Sequence, residues 1–202
     1  MDLILELFCE EIPARMQLRA IDEFKLIIQN SLMKTNLNFR GVKGYVTSRR
    51  LAIIVEGLPK AQDNVKEERR GPRTGAPEKA IQGFLKSNNV TLEHCEKRKT
   101  EKGEFWFFVI EKKGLMTDEI LKHLLPEAIH SLQWPKSMRW GGGTFRWVRP
   151  LRRIMCVLDG KVLPIEVGDD IPCGNITSGH RFMGSSSIEV SSVVGYEKEL
   201  KK

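Results

Sequence analysis

The side chains best suited to chemistry lie in one basic and aromatic segment, residues 134–153. It contains six Lys or Arg residues and no Asp or Glu, and it holds three of the chain's four Trp residues. Guanidinium groups bind phosphate oxygens, and aromatic rings stack on unpaired bases. We therefore predict an RNA-binding or docking surface here, and the side chains assigned to it are Lys136, Arg139, Trp140, Arg146, Arg149 and Arg152.

The composition of this segment leaves two further interpretations open. In the first, its aromatic rings fill a hydrophobic core while the guanidinium groups of its Arg residues stay in water, which is the usual arrangement of such side chains. Alternatively, Trp and Arg would anchor a protein interface, since these residue types dominate interface hot spots.

Other basic residues extend the candidate surface. His180 and Arg181 lie in the sequence Ser-Gly-His-Arg-Phe, and we assign both to the same RNA-binding or docking surface. Residues 40–73 contain nine basic and four acidic residues. Clustered cations are more often a solvated face, so the weaker candidates are Arg49, Arg50, Arg69, Arg70 and Arg73.

Signatures of known active sites are missing from the sequence. No phosphate-binding Gly-x-x-x-x-Gly-Lys-Ser/Thr loop, Gly-x-Gly-x-x-Gly, His-Glu-x-x-His or Gly-x-Ser-x-Gly occurs. The four Cys residues are far apart, which argues against a zinc ribbon and a disulfide framework. We predict no catalytic residue, no metal ligand and no cofactor in this chain.

Composition limits the class of protein further. The chain has 202 residues, 41% of them hydrophobic, and a formal net charge of +7. No apolar run approaches the ~20 residues that a membrane-spanning helix needs. The acidic start is unlike a signal peptide, so we expect a cytoplasmic protein without membrane contact, and the net charge is compatible with a nucleic-acid partner.

The elements that position these residues predict an α+β fold with mixed or antiparallel sheets and packed helices. Glu10 and Glu11 are expected to open a helix with a stripe of Leu18, Ile21, Phe24 or Lys25, Ile28 and Leu32. Asp159 and Gly160 predict a tight hairpin. Pro126 predicts a kink or a break in a helix that begins near residue 117.

Two subdomains are expected. Residues 1–114 would form the first, and residues 115–194 the second, with the basic segment and the hairpin. Residues 195–202 are mostly charged, and we expect the start of a linker or of a further domain.

Several motifs in order resemble one family, the β subunit of bacterial glycyl-tRNA synthetase. They are Glu-Glu-Ile-Pro-Ala-Arg at 10–15, Thr-Ser-Arg-Arg-Leu-Ala at 47–52, Arg-Gly-Pro at 70–72, Ala-Ile-Gln-Gly-Phe at 80–84, Trp-Pro-Lys-Ser-Met-Arg-Trp-Gly at 134–141, Arg-Pro-Leu-Arg at 149–152 and Ser-Gly-His-Arg-Phe at 178–182. Two departures are visible: the family usually has Gly-Thr at 8–9, where this chain has Phe-Cys, and an aromatic residue at 153, where this chain has Arg.

The resemblance implies a role in translation. The family enzyme is a heterotetramer of two α and two β subunits that joins glycine to tRNA(Gly) with ATP and Mg²⁺, and the α subunit holds the catalytic core. This chain would be a non-catalytic N-terminal piece of β, with the α subunit, tRNA(Gly) and the rest of β as partners. A pure protein-docking module without RNA contact, and an independent hydrolase, are the rival interpretations.

Overall fold

A computed structural model describes residues 1–88, 90–100, 103–168, 171–180, 182, 184 and 187–201. The fold is α+β, as predicted. In chain order its elements are β1 Leu3–Cys9, α1 Ala14–Lys34, β2 Gly41–Thr47, β3 Arg50–Glu56, β4 Val65–Arg73, α2 Glu78–Asn88, β5 Cys95–Thr100, β6 Gly103–Lys112, α3 Thr117–Ser131, β7 Met138–Arg139, β8 Arg146–Trp147, β9 Leu151–Leu158, β10 Lys161–Val162, β11 Cys173–Gly174, β12 Ile176–Thr177, β13 Ile188–Glu189 and α4 Val193–Leu200.

The chain divides into two compact units, but not at the predicted boundary. Unit 1 combines Met1–Gln62 with Leu115–Lys202, and unit 2 is the inserted segment Asp63–Gly114. The physical reason is strand pairing: β1 pairs with β3 on one side and with β9 on the other. Residues from both ends of the sequence therefore share one sheet, and the expected break near 115 marks only the return of the chain to unit 1.

The main sheet of unit 1 is covered on both faces. Its strand order is β10-β9-β1-β3-β2, with β11 added in parallel beside β9. One face packs against α1 and α3, and the other packs against Val190 and Tyr196 near and in α4. This double cover explains why β1 and β3 are continuous apolar runs instead of alternating ones.

Helix α4 occupies the segment that we expected to start a linker or a further domain. Its residue Tyr196 is buried against the sheet, and the side chain of Ser192 caps the helix by accepting from the Gly195 N–H. Residues 195–200 therefore belong to the packing of unit 1.

Helix α1 follows the predicted period with two corrections. Ile21, Phe24, Ile28 and Leu32 face the core, but Leu18 is 73% exposed, and Met16 and Ala20 supply that end of the buried face. The helix begins at Ala14, so Glu10 and Glu11 precede it instead of opening it.

Two further local predictions, a tight hairpin and an interrupted helix, can be compared with the structure. Asp159 and Gly160 both have positive φ angles, 49° and 81°, between β9 and β10, which confirms the tight hairpin. By contrast, α3 is one helix with Pro126 inside it; of the two expected alternatives, a kink or a break into two short helices, the break was wrong.

Unit 2 is a three-stranded antiparallel sheet, in the order β4-β6-β5, with α2 packed on it. A Cβ at Gly71 of β4 would lie only 2.8 Å from the Phe84 ring of α2. The missing side chain at residue 71 thus lets the helix approach the sheet. None of the described helices of the chain is long and apolar enough to cross a membrane.

Candidate nucleic-acid interface

The aromatic rings of residues 134–147 pack inward. Trp147 is 1% exposed, Phe145 is buried, and Trp134 and Trp140 are half-buried against the same core. Trp134 meets Trp147 edge to face at 5.0 Å between ring centroids, and Trp140 meets Phe145 at 5.7 Å. Rings in mutual contact inside a core offer little surface to bases or to a protein partner.

Two cations of this segment lie at the surface on a short hairpin of β7 and β8. Arg139 is directly opposite Arg146, and both are exposed. The Arg146 guanidinium donates to the hydroxyl and the carbonyl oxygen of Ser137 at 3.2 Å each. Both hydrogen bonds of Arg146 are therefore local, to the residue that precedes β7.

Lys136 belongs to a cleft of about 220 Å³ between α1 and the segment that follows α3. Arg15 and Arg19 of α1 line the same cleft, with Trp134 beside them. Neither arginine was predicted as a site residue, because in the sequence both look like part of the ordinary polar face of a helix.

A second group of cations surrounds Phe8, at the end of β1. The guanidinium carbons of Arg49, Arg50 and Arg153 lie 5.0, 5.8 and 4.3 Å from the centroid of its ring. Strand pairing brings them together, because Phe8 is the register partner of Arg50 on β3 and of Arg153 on β9. We call Arg49, Arg50, Arg152 and Arg153 the Phe8 arginine cluster.

One fully buried carboxylate organises the inner side of this cluster. Glu6 Oε2 lies 2.7 Å from Arg50 Nε and accepts a hydrogen bond from the Tyr196 hydroxyl at 2.6 Å. Its other oxygen accepts from the Thr177 hydroxyl at 2.6 Å. Burial is the larger cause, and the negative charge of Glu6 the second, of a pKa of Tyr196 far above its ordinary value. The Tyr196 hydroxyl therefore keeps its proton and remains a hydrogen-bond donor.

The outer side of the cluster has one shared acid. Glu10 lies 3.4 Å from Arg49 and 3.1 Å from Arg152, between its carboxylate oxygens and their guanidinium nitrogens. Glu10 was assigned to a helix start, but in the structure it pairs with one arginine in the turn between β2 and β3 and with another on β9.

Arg153 is the least compensated member. It donates to the Ser178 hydroxyl, and among the described residues no carboxylate forms an ion pair with it. Burial lowers its pKa, Glu6 raises it again, and the nearby charges of Arg50 and Arg49 lower it further. A cation held beside two like charges is stabilised when an anion approaches.

A cavity of about 320 Å³ opens beside the cluster. Phe8, Arg49 and Arg50 line one part of it, and the exposed side chains of His180 and Phe182 line another. Arg181 lies outside the described residues. The structure thus brings Arg49, Arg50, Arg152 and His180 of the predicted set to the same region of unit 1, together with the unpredicted Arg153.

The remaining predicted residues lie elsewhere. Arg149 is half-buried and donates to the carbonyl oxygen of Val148. Arg69, Arg70 and Arg73 are on β4 of unit 2. In the part of the chain that the structure describes, no three His, Cys, Asp or Glu side chains are grouped so as to hold a metal ion.

Comparison with known proteins identifies the family. The model of the glycyl-tRNA synthetase beta subunit family matches residues 3–202. The chain belongs to this family. It is 45% identical over 205 residues to the glycine--tRNA ligase beta subunit of Paracoccus denitrificans and 43% identical over 205 residues to that of Dinoroseobacter shibae.

Both alignments cover the whole chain, but only 30% and 28% of these relatives. A third relative, the glycine--tRNA ligase beta subunit of Rhodospirillum centenum, is 42% identical over 224 residues, which is 99% of this chain and 31% of the relative. The chain therefore spans about 30% of the length of the curated relatives it matches.

The side chains of Phe8 and Arg153 meet in space. Phe8 and Arg153 are direct cross-strand neighbours, and the guanidinium of one lies over the ring of the other. In this glycyl-tRNA synthetase beta-family chain, an aromatic and a cationic side chain thus form a stacked pair at the centre of the Phe8 arginine cluster.

Proposed function

We propose that the chain is the N-terminal part of a glycyl-tRNA synthetase β subunit. In this proposal the α subunit and the rest of the β chain are its protein partners, and the whole cytoplasmic enzyme attaches glycine to tRNA(Gly) with ATP and Mg²⁺. Family membership and the names of the relatives support the assignment. The chain itself contributes binding and not bond chemistry, in line with the lack of active-site motifs in its sequence.

The role that we propose for unit 1 is to bind the tRNA backbone through the Phe8 arginine cluster. The observation that carries this role is the set of three guanidinium groups within 5.8 Å of the Phe8 centroid. Glu6 forms an ion pair with Arg50, and Glu10 is shared by Arg49 and Arg152. The cations thus exceed their acid partners, and a phosphate group supplies the missing negative charge.

Backbone contact fits this cluster better than recognition of particular bases. Arginine binds phosphate oxygens with two parallel N–H donors, and contacts of this kind fix position without sequence information. We therefore expect cognate and non-cognate tRNA to bind this part of the protein with similar affinity, and the identity of tRNA(Gly) to be recognised by other parts of the enzyme.

A docking module without RNA contact is the competing function, and one observation favours it. Three apolar side chains, Leu18, Leu26 and Met33, are exposed on α1. Such side chains suit contact with another protein surface. In that case the α subunit, or a later part of β, would be the partner.

Point variants separate the two functions. The measurement is fluorescence anisotropy of labelled tRNA(Gly) titrated with the chain, for wild type, Arg153→Gln and the control Lys34→Gln, a remote exposed cation. Loss of a charge-assisted hydrogen bond of about 1.5 kcal/mol corresponds to about tenfold in affinity. We expect that loss for Arg153→Gln, and less than twofold for Lys34→Gln.

Equal affinity for both variants would contradict the proposed role of the cluster. A parallel measurement tests docking: co-purification of the full-length β subunit with the α subunit, in Arg153→Gln and in Leu26→Asp. Loss of assembly in Leu26→Asp, with no RNA binding by the wild-type chain, would establish the docking function instead.

A further inference from the structure

The sheet of unit 2 has two chemically different faces. Residues directly opposite each other in an antiparallel pair lie on the same face. Trp106 is opposite Lys97, and Phe108 is opposite Arg69. Helix α2 lies on this face, because Asn88 accepts a hydrogen bond from Arg69 and Phe84 packs at Gly71.

The other face exposes arginines over phenylalanines. Phe105 is opposite both Arg73 and Arg98, and Phe107 is opposite Arg70. Arg70 stacks over Phe105 with its guanidinium carbon 3.6 Å from the ring centroid, and Arg73 lies 5.6 Å from the same centroid. Phe105 is only 7% exposed, while these arginines are exposed.

We propose that the part of this face formed by Phe105, Phe107, Arg70 and Arg73 binds an unpaired segment of RNA. A base stacks on the outer side of the Arg70 guanidinium, whose inner side covers Phe105, and the flanking phosphates meet Arg73 and the free donors of Arg70. The inference rests on the proposed RNA-binding function of the protein, but not on the Phe8 arginine cluster.

The position of Arg70 supports stacking from outside. A guanidinium plane stacks on aromatic rings and on bases alike, so a ring on one side and a base on the other form a continuous stack. Among the described residues no carboxylate forms an ion pair with Arg70. Its charge is therefore available to an anionic partner.

Arg98 on the same face shows the contrasting arrangement. Its guanidinium lies 5.7 Å from the Phe107 centroid, is 2.5 Å from Glu68 and 2.9 Å from Glu96, and so has two acid partners. A cation held this way stabilises the sheet more than it attracts a ligand. Arg98 is therefore a matched control for Arg70, because both are exposed arginines over a phenylalanine ring.

Unpaired RNA fits this surface better than a duplex. The ring–guanidinium stack presents a flat plane to one base at a time, and paired bases in a helix do not expose their faces. Stacking on such platforms tolerates any base, so little sequence preference is expected.

The test uses the whole 202-residue chain and three probes: fluorescent ten-nucleotide oligo(U) and oligo(A), and a twelve-base-pair RNA duplex. Arg70→Lys keeps the charge and removes the planar group. We expect Arg70→Lys to weaken binding of both single strands about fivefold or more, since stacking contributes about 1–3 kcal/mol per base. Arg98→Lys should weaken it less than twofold, and the wild-type chain should prefer either single strand to the duplex.

Equal binding of single strands by wild type and Arg70→Lys would overturn the inference, as would a preference for the duplex or no oligonucleotide binding at low salt. Circular dichroism of each variant shows whether the sheet is intact, and Phe105→Leu provides a second change that retains an apolar side chain at residue 105. Arg153→Gln separates the two proposals: it should reduce tRNA binding, while the loss of single-strand binding caused by Arg70→Lys should be the same in the Arg153→Gln background as in the wild type. If Arg153→Gln has no effect on tRNA while Arg70→Lys reduces oligonucleotide binding, only the proposed role of the Phe8 arginine cluster fails.

Discussion

Replacing Glu6 by Gln should destabilise unit 1 severely. Glu6 is completely buried and joins three elements, through Arg50 of β3, Thr177 of β12 and Tyr196 of α4. The substitution preserves the size of the side chain and removes its charge. Arg50, whose side chain is only 11% exposed, then keeps a positive charge without a counterion.

The expected cost follows from that burial. Removing one partner of a buried ion pair costs about 3–5 kcal/mol, and the amide oxygen of Gln can still accept one hydrogen bond, so we expect about 3 kcal/mol. For a chain of this size this corresponds to a fall of about 6–12 °C in the melting temperature. The control is Glu10→Gln, which breaks two partly exposed ion pairs and should cost less than about 1 kcal/mol.

The assay is urea unfolding followed by tryptophan fluorescence. Trp106 is in unit 2, and Trp134, Trp140 and Trp147 are in unit 1. A Trp106→Phe background therefore reports the free energy of unfolding of unit 1 alone. If Glu6→Gln costs no more than Glu10→Gln, then the buried carboxylate does not hold these elements together and the reasoning is refuted.

Three further predictions concern pH, packing and thiol reactivity. The raised pKa of Tyr196 means that the unfolded chain loses this proton near pH 10 while the folded chain keeps it; stability should fall above pH 10, and less steeply in Tyr196→Phe, as measured by urea unfolding at pH 9 and 11. Gly44→Ala would place a Cβ 2.7 Å from Ile21 and should cost about 1–3 kcal/mol, whereas Gly142→Ala, with no atom within 4 Å, should cost almost nothing in the same assay. Burial raises the pKa of the Cys9 thiol to about 12, so in native protein at pH 8 iodoacetamide should modify the half-exposed Cys95 well before Cys9; mass spectrometry showing the reverse order would contradict the burial of Cys9.

The sequence predicted those elements that depend on local patterns. The α1 period and the turn at Asp159 and Gly160 were visible because burial of one helix face and positive φ angles leave direct traces in residue types. The segment Cys95–Thr100 was not identified as a strand, because β5 is almost entirely polar and exposed. Backbone pairing with β6 makes this segment a strand, although its side chains do not indicate one.

The domain boundary could not be derived from local patterns. The pairing of β1 with β9 joins residues about 150 positions apart, and an apolar strand does not specify its neighbour in the sheet. Expecting one unit to end near 114 therefore overlooked the insertion of unit 2 between β3 and α3.

The candidate site was predicted in part, for a similar reason. The sequence shows the strong basic character of residues 134–153 directly, but composition did not show that Trp147 and Phe145 face the core. In the sequence, Arg153 was counted among the charges and noted as a difference from the resembled family, but it was not predicted as a site residue. Its position over Phe8 depends on the register of two strands, which a single sequence does not reveal.

The most direct test of the central proposal is the salt dependence of tRNA binding. Wild-type chain and Arg153→Gln are titrated with tRNA(Gly) and with a non-cognate tRNA at several salt concentrations. We predict that log K falls linearly with log salt concentration, by roughly 0.7–0.9 per phosphate contact, that both tRNAs bind alike, and that Arg153→Gln lowers the slope by about one contact. No binding at low salt, or an identical slope for the variant, would contradict the proposal that the Phe8 arginine cluster binds the tRNA backbone.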